Sequence, residues 1–329
     1  MDTEHVGKRI GGTLPRAGAR LRVHLCAFLL LAVCCALDLL TGNGLNIPAG
    51  IILWKLRLPR MLTALVAGSA LGLAGAQMQA IFRNPLADPH IMGVSGGAGL
   101  GAAIAALTVT SLSVASGLTL VAAAFIGALL TGLLVVAVSA RVSSTGTLLL
   151  VGVMLGFILS AISSVLQYSA GEESLKLFYS WMAGSFSGTR YQDLLIMAIT
   201  LLVGAGLAFS QAKSLDLVLF GDPFAQASGV PLRRLRLLTM LGCALMTGAV
   251  TAFCGPIGFA GIAAPHLTRK ALGTSRHLSV LPGSMCAGAC LALLGDILAH
   301  IGPTPLPVGS TLAIVGIPLI VWLLWRDRL

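Results

Sequence analysis

Apolar residues fill this chain in runs of about twenty, separated by short clusters of Arg, Asn, Asp, Gly and Pro. The run from Arg57 to Pro89 shows the pattern most clearly: RLPRMLTALVAGSALGLAGAQMQAIFRNPLADP. About twenty apolar and small residues stand between its two polar ends, the length a helix needs to cross a bilayer. Repeating this reading predicts spans at 23–40, 61–82, 91–109, 117–140, 147–168, 193–210, 235–253, 258–272, 281–301 and 308–325. The eighth is short for a crossing and begins among glycines and prolines, which predicts a partly re-entrant segment. Ten crossings place both termini on one side.

The basic residues test that topology. With the N-terminus inside, Lys8, Arg9, Arg16, Arg20, Arg22, Arg83, Arg141, Lys213, Arg233, Arg234, Arg236, Arg269, Lys270, Arg276, Arg326 and Arg328 are cytoplasmic. Only Lys55, Arg57, Arg60, Lys176 and Arg190 of the 21 basic residues fall outside. This asymmetry supports cytoplasmic N- and C-termini. Composition agrees: 57% of residues are hydrophobic and 10% charged, which indicates one polytopic helical bundle rather than soluble domains. A β-barrel would need short strands that alternate apolar and polar residues. The formal charge of +10 then reflects orientation and anionic lipid, not nucleic acid. Residues 1–22 read as a cytoplasmic tail, and 23–329 as one transmembrane domain.

Catalytic chemistry is not supported. The chain has no GxSxG elbow, no HExxH and no phosphate-binding loop ending in Gly-Lys-Ser or Gly-Lys-Thr, hence no ATP site of its own. No histidine pair has metal-ligand spacing, and the seven cysteines read as small buried thiols. Asp38 and Asp296 are the acids within the spans, both near the outer end, and read as helix-end or interhelical hydrogen-bonding groups. Glycines spaced four apart (Gly68 and Gly72; Gly93, Gly97 and Gly101; Gly152 and Gly156) allow close helix packing. They serve packing within one subunit, a dimer seam or a gate. The loop at 219–232 contains GDPFAQASGV, where Pro223 can open a short helix and Gly229 can end it.

Four segments in order carry a resemblance. They are Arg57–Arg60 with Gly75-Ala76-Gln77-Met78-Gln79 and Arg83–Pro89; then Gly221–Val230; then Gly255–Gly261 with Pro265–Arg269; and Leu306–Gly309 with Gly316–Pro318. The chain resembles the FecCD-type permeases, membrane subunits of ABC importers for iron–siderophore, haem and cobalamin. The resemblance implies an all-α, cobalamin-permease-like bundle of about ten helices that pairs with a second copy in the bacterial inner membrane. Two ATPase subunits, which hold ATP and Mg, would bind on the inside, and a soluble binding protein would dock outside.

On that resemblance Arg57, Arg60 and His300 are docking residues, His300 standing where relatives carry an arginine. Gly221, Asp222, Pro223, Phe224, Ala225, Gln226, Gly229 and Val230 form the coupling helix that the ATPase pushes. Gly93, Ser95, Gly96 and Gly97 line the pathway. The Asn84, Pro85 and Asp88 turn is structural. The expected cargo is an iron chelate, siderophore or haem, with cobalamin as the alternative; an ion-coupled secondary transporter is the competing class, and a membrane-embedded enzyme comes third.

Overall fold

The computed structural model describes residues 17–41, 49–109, 116–142, 144–302 and 304–326. Lys8, Arg9 and Arg16 of the expected tail, and Arg328, lie outside them. Helix α1 (Ala17–Leu40) begins inside the stretch read as a tail, so Arg20 and Arg22 belong to its first two turns. A short α2 (Ala49–Ile52) and a π-helical turn (Leu53–Arg57) lead without a break into α3 (Leu58–Phe82). Then follow a 3-10 turn (Pro89–Met92), α4 (Val94–Val109), α5 (Ser116–Ser139), α6 (Thr145–Tyr168), α7 (Glu172–Met182) and α8 (Tyr191–Ser210). The chain continues with α9 (Ala212–Val218), α10 (Asp222–Ala227), α11 (Leu232–Cys254), α12 (Ala260–Leu272), α13 (His277–Ala299) and α14 (Val308–Arg326).

Each of the ten expected spans has its helix. Among the described residues seven helices are long and apolar enough to cross a membrane, and α4, α12 and α14 are shorter. One end of the bundle carries α7 and the Arg57 segment; the other carries α9 and α10. They are called here the α7 face and the α10 face.

Helix α3 occupies the centre. Nearly every residue from Pro59 to Ile81 is buried, because α13, α12, α11 and α8 surround it. Lipid gives no hydrophobic drive for helices to associate, so close van der Waals packing has to hold them together. The glycine spacing supplies it. A methyl group on Gly68 would meet the Gly288 carbonyl of α13, one on Gly72 the Ser284 carbonyl, and one on Gly75 the Gly261 carbonyl of α12. A second set joins α4 to its neighbours: Gly97 meets Gly127 and Thr131 of α5, Gly101 meets Ala123, and Gly96 meets Gly156 of α6. Of the alternatives left open by the sequence, these contacts realise packing within one subunit.

The eighth span differs from expectation in form. Helix α12 has 13 residues, about 20 Å at 1.5 Å per residue, and it is not re-entrant. Gly255 packs on Trp181 and Gly184 at the α7 face, whereas Gly261 lies against Pro89 and Leu71 deep in the bundle. The extended chain between them completes the crossing. Non-helical backbone at membrane depth must have its polar groups satisfied by protein. Here the Ser185 N–H donates to the Cys254 carbonyl (2.9 Å), and the Trp181 Nε1–H to Ala252 (3.0 Å). His90 Nε2 contacts the Ile257 carbonyl (2.7 Å).

Replacing Gly72 by Val forces the α3–α13 seam apart, and overpacking of this kind costs about 1–3 kcal/mol or more. Thermal unfolding in detergent should show the loss. Gly206→Ala, where nothing lies within 4 Å, should leave the melting temperature unchanged or slightly raised.

Candidate functional site

Two clusters of polar residues stand at opposite ends of the bundle. At the α7 face Pro59 and Arg60 are the second and third residues of α3, where it continues the π-helical turn. Arg60 is only 7% exposed. Its Nε lies 2.8 Å from Asp296 Oδ2 of α13, and its Nη2 lies 3.9 Å from Asp38 Oδ1 of α1. The same Nη2 donates to the carbonyls of Asp38 and Thr41, each at 3.2 Å. Both aspartates are fully buried. A buried guanidinium persists only where carboxylates and carbonyls answer its charge, and this one binds three helices together at one end.

Arg60 was expected to dock a partner; in the structure it is engaged within the chain by Asp296 and Asp38. The guanidinium is committed inward and offers the surface nothing. Arg57 sits one turn earlier, half-buried, and its Nη1 donates to the Leu39 carbonyl (3.0 Å). Exposed Trp54 and Lys55 lie beside it, and Tyr191 Oη donates to the Trp54 carbonyl (2.6 Å). His300 belongs to the same corner. Its Nδ1 contacts the Asp296 carbonyl (2.9 Å) and its Nε2 the hydroxyl of Ser187 (3.3 Å).

Asp38 and Asp296 are the interhelical groups that the sequence suggested; their partner was not legible there. An arginine just inside a helix, in a chain whose spans hold so few acids, was the available signal. Helix α7 was missed altogether. Glu172, Glu173 and Lys176 face outward on it while Ser174 and Phe178 are buried, so it lies along the α7 face.

At the α10 face the short helix forms as expected. Gly221 (φ +109°) makes the entry that only glycine adopts easily, Pro223 fills the first turn, and Gly229 (φ +83°) ends it. Ala225 and Val230 are buried and anchor α10, whereas Pro223, Phe224, Gln226 and Gly229 are exposed. Asp222 ties the helix down by accepting from Arg236 Nη2 (2.6 Å), with Arg83 Nη2 at 3.7 Å. Arg236 also donates to Thr145 Oγ1 at the start of α6 (3.1 Å). Phe220, 75% exposed, stacks near Phe224, 50% exposed, with ring centroids 5.4 Å apart. This aromatic knob projects beside a groove of about 220 Å³ lined by Arg141, Asp222, Gln226, Arg233 and Arg236. Phe220 was not singled out from the sequence, although an aromatic four residues before another on an exposed turn is a readable pattern.

The Arg83–Pro89 turn is built as read. Arg83 takes a left-handed conformation (φ +49°) to end α3, Asn84 Oδ1 accepts from the Leu86 N–H (3.0 Å), and Asp88 Oδ1 accepts from the His90 N–H (2.9 Å). Gly93, Ser95, Gly96 and Gly97, expected along the pathway, pack within the chain, and Gly97 also lines an apolar cavity of about 430 Å³ between α4, α5 and α6. Gly93 and Gly97 are buried against α6 and α5, Gly96 faces Gly156, and the Ser95 hydroxyl is hydrogen-bonded to His90 Nδ1. Intrachain packing uses this stretch.

Known proteins match this arrangement. The model of the FecCD transport family matches residues 25–326. The vitamin B12 import system permease protein BtuC of Klebsiella pneumoniae is 38% identical over 289 residues, covering 87% of this chain and 86% of that protein. BtuC of Citrobacter koseri is 36% identical over 320 residues, covering 95% and 96%. A solved metal-chelate type ABC transporter in an inward-facing conformation superposes with a TM-score of 0.83 at 31% identity, covering 93% of this chain and 99% of that one.

The two arginines of the α7 face should respond differently to truncation. Arg60→Ala strands two buried carboxylates and should cost about 3–5 kcal/mol. Arg57→Ala at the half-exposed site should cost about 1 kcal/mol or less. Denaturant unfolding of the purified chain reads both.

Proposed function

The chain belongs to the FecCD transport family and is the permease of an ABC importer, and from that premise we propose that its cargo is cobalamin or a closely related corrinoid. The observation that carries this reading is the identity of 36–38% to BtuC proteins over 87–95% of the chain. It replaces the iron chelate expected from the sequence as the leading cargo. An iron chelate stays as the second reading, because a solved relative is of metal-chelate type. Both cargoes are bulky metal complexes. They need a wide passage with few grips, and among the described residues no cluster of His, Cys, Asp or Glu could hold a metal ion.

In this reading two copies of the permease enclose the pathway in the bacterial inner membrane. The α10 face is cytoplasmic, which follows the excess of basic residues at that end. Two ATPase subunits, carrying ATP and Mg, receive α10, with Phe220, Phe224 and Gln226 as the exposed contact and Asp222 as the tie that passes a push to α11 and α3. The α7 face receives a loaded binding protein. Arg57 is the fixed charge there, suited to a carboxylate because its planar fork forms two hydrogen bonds. His300 lies close by, and Arg60 supports the corner from beneath.

Uptake of radiolabelled cyanocobalamin into proteoliposomes holding the permease, its ATPase and its binding protein tests the cargo. ATP-dependent accumulation is expected. Accumulation of a ferric siderophore or haem instead of cyanocobalamin would overturn the cargo, and uptake driven by an ion gradient without ATPase would overturn the importer class for this chain's activity. In the same system Phe224→Asp should leave the purified permease folded while uptake falls about tenfold, the loss expected of a central aromatic contact. Arg57→Glu should weaken binding-protein docking by a similar factor without releasing the ATPase, read by surface plasmon resonance.

A further inference from the structure

The short helix before α10 holds a second polar tie that the proposed function does not use. His277, the first residue of α13, is completely buried. Its backbone N–H donates to Asp216 Oδ1 of α9 at 2.7 Å, and its ring Nδ1 reaches the same oxygen at 2.6 Å. Nε2 is buried with no hydrogen-bond partner, so Asp216 is the polar anchor of the ring. Burial of Asp216 pushes its carboxyl upward, but the ring and backbone hydrogen bonds from His277, with the charges of His277 and Arg276, outweigh this and hold it below the usual carboxylate range. The acceptor is thus a carboxylate at neutral pH, which makes Nδ1 the donor and the bond charge-assisted.

The position of this tie gives it significance. Helix α9 packs on α13, α3 and α10. Its last turn runs into α10 through backbone bonds from Phe220 to Leu217 (3.2 Å) and from Gly221 to Val218 (3.0 Å), so α9 and α10 form one braced unit. Helix α13 then runs the depth of the bundle in backbone contact with α3 at Gly68–Gly288 and Gly72–Ser284. Its final turn carries Asp296, the carboxylate against Arg60, and His300 follows. A buried ion pair ties one end of α13 and a charge-assisted hydrogen bond ties the other, so neither end can slip without losing its partner; Pro282 lies between the Asp216 contact and the α3 seam. Asp222, by contrast, is tied to Arg236 of α11, which reaches Thr145 of α6, and to Arg83 at the end of α3.

We propose that the Asp216–His277 pair is the joint that passes displacement of α10 to α13, and through it to the Arg60–Asp296 corner where the loaded partner docks. The inference rests on α10 being the contact of the ATPase. Both residues are positioning residues, since neither touches cargo or nucleotide. Coupling is reciprocal, so the same joint carries the signal by which a docked, loaded binding protein stimulates ATP hydrolysis on the opposite face.

The test uses the complete transporter in proteoliposomes, with cyanocobalamin or a ferric siderophore as cargo according to which one the wild type carries. His277→Leu and Asp216→Ala remove the joint, and His277→Asn returns a donor near the position of Nδ1. For the first two, unstimulated ATP hydrolysis and ATPase assembly should stay within about twofold of wild type, while cargo moved per ATP falls about tenfold, the scale of network couplings. Stimulation by loaded binding protein should vanish, and His277→Asn should restore most of both. Unchanged cargo per ATP would overturn the joint. So would loss of assembly that His277→Asn does not repair, since that marks a mere anchor for α13. A wild type that shows no ATP-dependent uptake would instead overturn the importer reading itself, and the joint with it.

Discussion

The structure depends on the close approach of α3 to α13 and α12. Hydrocarbon surrounds the bundle, so burying apolar side chains brings little gain over leaving them in lipid. Cohesion must come from contact distance, and Gly68, Gly72 and Gly75 place backbone against backbone where any larger residue would hold the helices apart. Much else follows from that seam. With α3 enclosed, its polar atoms must find partners inside: Gln79 Nε2 donates to the Ile262 carbonyl (3.2 Å), and Arg269 is hydrogen-bonded to Gln79 Oε1. Arg60, at the end of the same helix, is brought within reach of Asp296 on α13.

The same constraint explains why the two faces do different work. Charge at the α7 face is turned inward, where Arg60, Asp38 and Asp296 close the corner and leave Arg57 to meet the outside. Charge at the α10 face lies beside an exposed aromatic knob, with Asp222 holding α10 against two arginines. The first face carries a modest charge at half-buried Arg57, whereas the second presents a projecting element on a short, well-anchored helix. The asymmetry fits the proposed function, in which one partner docks outside and another delivers force inside.

Much of the fold was legible because run length and glycine spacing act locally. Each of the ten spans was placed by its apolar run, and the limits of α10 by Pro223 and Gly229. What escaped was long-range. Nothing near Arg60 in the chain says that Asp38 and Asp296 will converge on it, so a buried clamp read as a docking charge. Likewise nothing in the basic stretch around His277 says that α9 will cover it with Asp216. The crossing at α12 was misjudged for a different reason. Its upper half is extended chain that follows the Ser185- and Trp181-bonded end of α11 and is met by His90 at Ile257, and no periodicity announces such a segment. Helix α7, amphipathic and only 11 residues long, fell below the length at which a membrane reading looks for helices.

The placement of the acids also bears on how the transporter is driven. An ion-coupled carrier binds its ion near the bilayer midplane, where carboxylates in broken helices change partners between states. In the described spans the acids are Asp38, Asp193 and Asp296, all in the first or last turns at the α7 end. Asp193 caps α8 by accepting from the Arg190 N–H (2.9 Å), and the other two are held by Arg60. Each is occupied with architecture. The deep breaks in helix geometry, at Pro89–Met92 and Gly255–Phe259, meet where His90 is hydrogen-bonded to the Ile257 carbonyl. In the proposed reading energy for movement enters from an end of the bundle, and the projecting α10 is the element that receives it.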